Sequence, residues 1–280
     1  MDKDLNLISN ADISVSSNRA NLIDHLHRGI NPVLRALFRA QARLAKARIE
    51  VDGNSAPLPS DGRSIIFAAN HTNGQDIPNI ANALSRHFYA VIADDIKYDF
   101  ITKLVCNLNG TIWLTRGDYP AAKSTRERAQ ALAVQKLETG NDILIFPEAV
   151  WNPCFAWVDG KPMLPFYKGV ISIAQLSGAH IVPVITEYDQ SNTCHIYLAE
   201  PFDYAAYGDV LSSVSALRAY MAQTKQQIRQ SLKPAIDKDV FIEMRASWRR
   251  SFPIWDPQKE VTHVQGYKND PDTISQWFLC

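Results

Sequence analysis

The sequence predicts an α/β fold, a mostly parallel sheet flanked by helices with an N-terminal amphipathic helical segment. Three observations lead there. From Gly62 onward, short β-rich apolar runs alternate with longer helical stretches, as parallel strands with helical crossovers do. Apolar residues make up 46% of the 280, enough for one large core with a small appendage. Residues 25–49 hold six Lys/Arg and no acid, so the N-terminal segment differs in character from the body.

In chain order, residues 1–17 are polar and read as a flexible N-terminus with no secretory signal. Residues 18–50 form the N-terminal amphipathic segment, a helix with a break expected at Gly29-Ile30-Asn31-Pro32. Arg48 falls on its apolar side, which ends the helix before that residue. Residues 51–250 form the α/β domain, and 251–280 a C-terminal tail rich in Pro and Trp. Within the domain, strands are expected at 64–69, 88–93, 111–114, 142–146, 181–185 and 195–198. Helices are expected near 76–87, 98–108, 121–138, 167–176, 209–231 and 237–250, with Gly140 and Gly178 as stop signals.

Composition removes several function classes. Lys+Arg and Asp+Glu are both 29, so no generally basic nucleic-acid surface is expected. The closest glycines, Gly110 and Gly117, are too far apart for a dinucleotide fingerprint or a Walker A loop. No Gly-x-Ser-x-Gly elbow occurs. Cys106, Cys154, Cys194 and Cys280 have neither metal-ligand nor redox spacing and read as reduced thiols; no metal and no cofactor are expected. No apolar run is long enough to span a bilayer.

In such sheets, functional residues gather where strands end at their carboxyl edge. His71, directly after an apolar strand, precedes Asp76 by five positions across the Asn73-Gly74 turn. A carboxylate on one imidazole nitrogen fixes the tautomer and makes the other a better base. The alternative is Asp76 as a helix N-cap and His71 as a satisfied loop residue. Arg116 ends the strand after Gly110 and offers a forked donor for phosphate, or a surface ion pair. Glu148 leaves a buried strand beside Pro147, as a polar contact or a local ion pair. Lys168 precedes Gly169 at the start of a helix, a place that favours anions.

Taken together these segments resemble the glycerophospholipid acyltransferases, specifically the lysophosphatidate acyltransferase branch. That family carries an Asn-His-x4-Asp block, a Gly-x5-Arg block, a Phe-Pro-Glu-Gly-Thr-Arg block and a Val-Pro-Val block. Asn70-His71 with Asp76, Gly110 with Arg116, Phe146-Pro147-Glu148 and Ile181-Val182-Pro183-Val184 match them in order. Lys168-Gly169 resembles the Lys-Gly that precedes the fourth block. The likeness spans about residues 60–200.

The resemblance implies that His71 is the general base and Asp76 its orienting partner, with transfer direct and no acyl-enzyme. It implies acceptor contacts from Arg116, Glu148 and Lys168, with Asn70, Gly110 and Pro147 in the same site. The donor is an acyl thioester, acyl-CoA or acyl-carrier protein, and the acceptor a lysolipid hydroxyl in phospholipid biosynthesis. Where the family has Gly-Thr-Arg, this chain has Ala149-Val150-Trp151 and lacks the second basic group. That departure keeps other acceptors open, such as a sugar, amino-lipid or polymer precursor, along with a thioester or lipid hydrolase.

On a helix, Arg35, Arg39, Arg43 and Lys46 share one side, opposite Val33, Leu34, Leu37, Phe38, Leu44 and Ala45. Such a helix can lie on an anionic bilayer or pack its apolar side on the domain. With a lipid acceptor in view, the expectation is peripheral attachment through residues 31–48 to the cytoplasmic face of a membrane.

Overall fold

The computed structural model describes residues 22–37, 39–40, 48–72, 74–84, 86–94, 100–116, 120–149, 163–191 and 193–232. The expected flexible N-terminus 1–17, the helix 237–250 and the tail 251–280 lie outside them. Helix α1 covers residues 22–37. It is followed by β1 (Arg48–Val51), β2 (Ile65–Ala69), α2 (Asp76–Leu84), β3 (Phe88–Ala93), α3 (Phe100–Asn109) and β4 (Ile112–Leu114). Then come α4 (Pro120–Glu138), β5 (Asp142–Ile145), α5 (Gly169–Ser177), β6 (His180–Tyr188), β7 (Thr193–Leu198) and α6 (Val210–Ser231).

The strands form one sheet in the order β1-β7-β6-β2-β5-β3-β4. Strands β6, β2, β5, β3 and β4 are parallel, while β7 runs antiparallel to β6 and β1 parallel to β7. The α/β expectation holds. Side chains of β2 alternate between two cores: Ile66 and Ala68 face α4, α5 and α6, whereas Ile65, Phe67 and Ala69 face α2. Burial on both faces explains why β2 and β5 read as unbroken apolar runs. In β6, Pro183 lacks an N–H, but the ladder to β7 begins one residue later at Val184, so no bond to that strand is lost.

α4 shows how a mostly polar helix finds its place. Ala122, Ala129, Ala133 and Leu137 are its buried apolar residues, a stripe of small side chains that brings it close to the sheet. No strand is expected at Arg48–Val51, yet it pairs along its length with β7. It is an exposed edge strand, so it lacks the apolar run that marks the interior ones.

α1 departs from expectation twice. It continues through Gly29-Ile30-Asn31-Pro32 without a break. The proline removes one backbone donor, but tertiary bonds from the turns before it and the buried Leu34 after it hold the helix. Asp24 accepts from Tyr89 Oη at 2.6 Å, from Asn141 Nδ2 at 3.1 Å and from Lys136 Nζ. Arg28 Nη2 donates to Asn141 Oδ1 at 2.7 Å, and Asn31 Nδ2 to Asn109 Oδ1 at 3.2 Å. Asp24, Arg28, Asn31 and Leu34 follow helical spacing and make the inner face. The second departure is that this inner face is mainly polar. Leu22, Leu26, Val33 and Leu37 point outward and are exposed.

His87, between α2 and β3, donates Nε2–H to the Asn109 carbonyl at 3.2 Å and meets the Tyr89 ring edge-on. Burial pushes its pKa down to about 4. The unfolded chain therefore takes up a proton near pH 6.5 that the folded chain refuses until about pH 4. Stability from this group is complete above the unfolded value and declines as pH falls through that window, by up to about 3 kcal/mol. Thermal unfolding of His87→Gln, followed from pH 7 to pH 4, should show a flatter decline than wild type. Parallel curves would contradict this.

Candidate active site

The carboxyl edges of β2, β5 and β6 lie side by side, since β2 sits between the other two. The residues that follow these strands therefore meet. After β2, Asn70-His71-Thr72 turn away from the sheet, and α2 opens with Asp76. Asp76 is fully buried. Its Oδ2 accepts from the Thr72 backbone N–H at 2.6 Å and bonds His71 Nδ1 at 2.9 Å. Its Oδ1 accepts from Tyr188 Oη at 2.7 Å and from Thr186 Oγ1 at 3.5 Å.

An ionised carboxylate only accepts, so we assign the His71 proton to Nδ1, which makes Nε2 the basic nitrogen of the neutral ring. The opposite-charge pair that appears when His71 is protonated is then stabilised in place. The ring is stacked on Phe146, centroids 4.1 Å apart at 19°, which fixes its plane. Tyr188 in turn accepts from Asn79 Nδ2 at 3.0 Å. Burial and the neighbouring Asp76 charge hold its phenol protonated, as a permanent donor to that carboxylate.

The other expected residues divide into two groups. Arg116 reaches across from β4, and its Nη1 donates to the Ala149 carbonyl at 3.1 Å while the side chain stays half-buried. Lys168 is the exposed residue before α5, and the neighbouring Tyr167 N–H bonds the Pro147 carbonyl at 2.9 Å. Arg116, Pro147, Lys168 and the His71–Asp76 pair thus share the carboxyl edge.

Three assignments change. Asn70 is fully buried, with its amide spent on Thr72 Oγ1 at 2.7 Å, the Thr186 carbonyl at 3.0 Å and the Thr186 N–H at 2.7 Å. It joins the β2 turn to β6 and presents no polar atom to an acceptor. Glu148 is fully buried too, and its Oε2 accepts the Leu164 N–H at 2.9 Å. It ties the loop after β5 to the segment that leads into α5. Gly110 lies near the amino end of β3 instead of the carboxyl edge. At φ +85°, a Cβ there would stand 2.4 Å from the Tyr89 ring and 2.8 Å from His27 Nδ1. Glycine is needed for packing α3 against β3 and α1.

Ala149 takes φ 57°, the left-handed region that favours glycine, at the position where the resembled block has one. Cys194 lies behind the pair, bonded to Tyr188 and Asn79, and burial followed by the Asp76 charge pushes its thiol up to about 12. It is a poor nucleophile.

Residues 48–187 match the sequence model of the family described as Acyltransferase. The chain belongs to the Acyltransferase family. The enzyme is therefore an acyltransferase, and the matched range contains His71, Asp76, Arg116 and Glu148. A comparison with curated proteins finds no match. Among solved structures, the fold is similar to that of PlsC from Thermotoga maritima, a 1-acyl-sn-glycerophosphate (LPA) acyltransferase. The TM-score is 0.55 at 20% identity, covering 72% of this chain and 81% of that one.

Sequence reasoning did not single out Thr72, Thr186 or Tyr188. A signal existed in β6, whose apolar run gives way to Thr186-Glu187-Tyr188 before the strand ends. Replacing Asp76 with Asn should lower kcat by about 10²–10⁴-fold with little change in KM, because the wrong tautomer becomes available. Steady-state thiol release from an acyl thioester measures this. A loss confined to KM would remove Asp76 from the base-orienting role.

Proposed function

We propose that this acyltransferase moves a fatty acyl group from acyl-CoA or acyl-carrier protein to a lysophospholipid hydroxyl, with a lysophosphatidate-like acceptor. The observation that carries this is the buried His71–Asp76 pair sharing one sheet edge with the cations Arg116 and Lys168. As the acceptor oxygen attacks the thioester carbonyl, its proton passes to His71 Nε2. The tetrahedral intermediate then expels the thiolate, which takes the proton back from the imidazolium. One ester forms, one thioester breaks, and the protein is never acylated. The buried, protonated Cys194 supports direct transfer. Arg116 and Lys168 would meet the acceptor phosphate, and the reaction asks for no cofactor beyond the thioester substrate.

The membrane reading comes from α1 and α3. No described helix is long and apolar enough to cross a membrane. The polar inner face of α1 leaves Leu22, Leu26, Val33 and Leu37 outside. On α3, which meets α1 through Asn109, Phe100 and Ile101 are 80% and 71% exposed. Exposed Arg39 and Lys103 accompany these side chains. Apolar side chains flanked by cations suit an anionic lipid surface, which supports the proposed peripheral attachment at the cytoplasmic face. Arg43 and Lys46 lie outside the described residues.

Ala149-Val150-Trp151 favours a second reading, an acceptor without a glycerol phosphate. A panel separates them: oleoyl-CoA with lysophosphatidate, a lysolipid lacking a phosphomonoester, a glycolipid, or no acceptor, each in vesicles containing phosphatidylglycerol. Thiol release fastest with lysophosphatidate, with the enzyme co-floating with the vesicles, is the expected result. Preference for the glycolipid would select the second reading. Equal release without any acceptor would make the enzyme a hydrolase, and failure to co-float would remove the membrane claim.

A further inference from the structure

Lys225 is fully buried on α6, beyond the family-matched residues. It stands on the apolar stripe of that helix with Leu217, Met221 and Ile228, where a leucine would be the ordinary occupant. Its ammonium instead reaches the active-site turn, with Nζ 3.3 Å from Thr72 Oγ1. That hydroxyl also accepts from Asn70 Nδ2 at 2.7 Å and faces the Thr186 carbonyl at 3.3 Å, to which it gives its single proton. Both lone pairs and the proton are used, and Lys225 closes the set. Thr72 is the residue whose backbone N–H lies 2.6 Å from the same Asp76 oxygen that holds His71.

The charges around the ammonium come from four elements. Asp76 opens α2, Glu148 follows β5 and Glu187 lies on β6, while Arg229 on α6 pairs with Glu187 at 3.2 Å. Burial lowers the Lys225 pKa, and Glu187, Glu148 and Asp76 oppose that. A lone lysine in a dry interior is costly, and the surrounding buried carboxylates offset part of that cost.

We propose that Lys225 is a positioning residue of the acyl-transfer site, locking the Thr72 turn so that His71 and Asp76 stay aligned. This rests on His71 being the base. It follows that α6 helps to hold the His71–Asp76 pair in place. Lys225 acts through its bond to Thr72, which sets the geometry of the turn that carries His71.

The test uses full-length Lys225→Met, Thr72→Val and the double variant Lys225→Met/Glu187→Gln. The double variant removes one charge of each sign and guards against a single variant that fails to fold. Two readouts are taken: thiol release from oleoyl-CoA with lysophosphatidate, and the fraction of neutral His71 that carries its proton on Nδ1, by heteronuclear NMR. Lys225→Met should lower kcat about 10–100-fold with KM nearly unchanged. It should also lower the Nδ1–H fraction of His71, since the turn that holds the ring against Asp76 is loosened. Thr72→Val should lower kcat and the Nδ1–H fraction in the same way. In the double variant the buried charge is balanced again, yet both should stay low.

Wild-type turnover by the double variant would overturn the proposal, leaving Lys225 as a charge balance only. An unchanged Nδ1–H fraction and kcat in Lys225→Met would overturn it as well. If wild type does not use lysophosphatidate, the acceptor reading fails while the His71 tautomer fractions still decide the role of Lys225.

Discussion

The site depends on one carboxylate. Asp76 has no exposed surface, and a buried ionised group of that kind is tolerated only when its oxygens are supplied with donors. Here they come from two stretches of chain: Thr72 N–H and His71 from the turn after β2, and Tyr188 and Thr186 from β6. Because Tyr188 and Thr186 serve one oxygen, the other is left for the turn that carries His71. The direction of the imidazole is thus decided by a hydrogen-bond arrangement spanning two strands. The order β6-β2-β5 brings those donors together and puts the Phe146 ring against the imidazole.

The same requirement shapes the outside of the molecule. α1 fastens to the body through Asp24, Arg28 and Asn31, bonds that satisfy polar groups and leave most of its apolar residues outside. An ordinary surface helix would do the reverse. The apolar residues left exposed on α1 and α3 are the basis of the proposed contact with lipid.

Much of this was legible in the sequence, for identifiable reasons. The parallel sheet announced itself because strands buried on both faces need continuous apolar runs, as in Ile65–Ala69 and Asp142–Ile145. His71 and Asp76 could be paired because both lie within a single strand-turn-helix unit. Arg116, Pro147 and Lys168 were placed at the correct edge by their positions after β4 and β5 and before α5. Asn70, Gly110 and Glu148 were assigned to the acceptor, but the sequence carries no measure of burial, and all three act inside the protein. The uninterrupted α1 escaped notice because bonds from Asn109 and Asn141 outweigh the local preference of Gly29 and Pro32. Lys225 was hidden for a related reason, since its partner Thr72 is far away in the chain and meets it only once α6 has packed on β6.

The most direct test of the account is the tautomer of His71 in the neutral enzyme, read from its two ring nitrogens by heteronuclear NMR at a pH above its titration. With Nδ1–H held by Asp76, Nδ1 should give a protonated, pyrrole-type signal and Nε2 a bare, pyridine-type one. The reverse pattern, with the proton on Nε2, would leave the attacking hydroxyl without its base and contradict the mechanism.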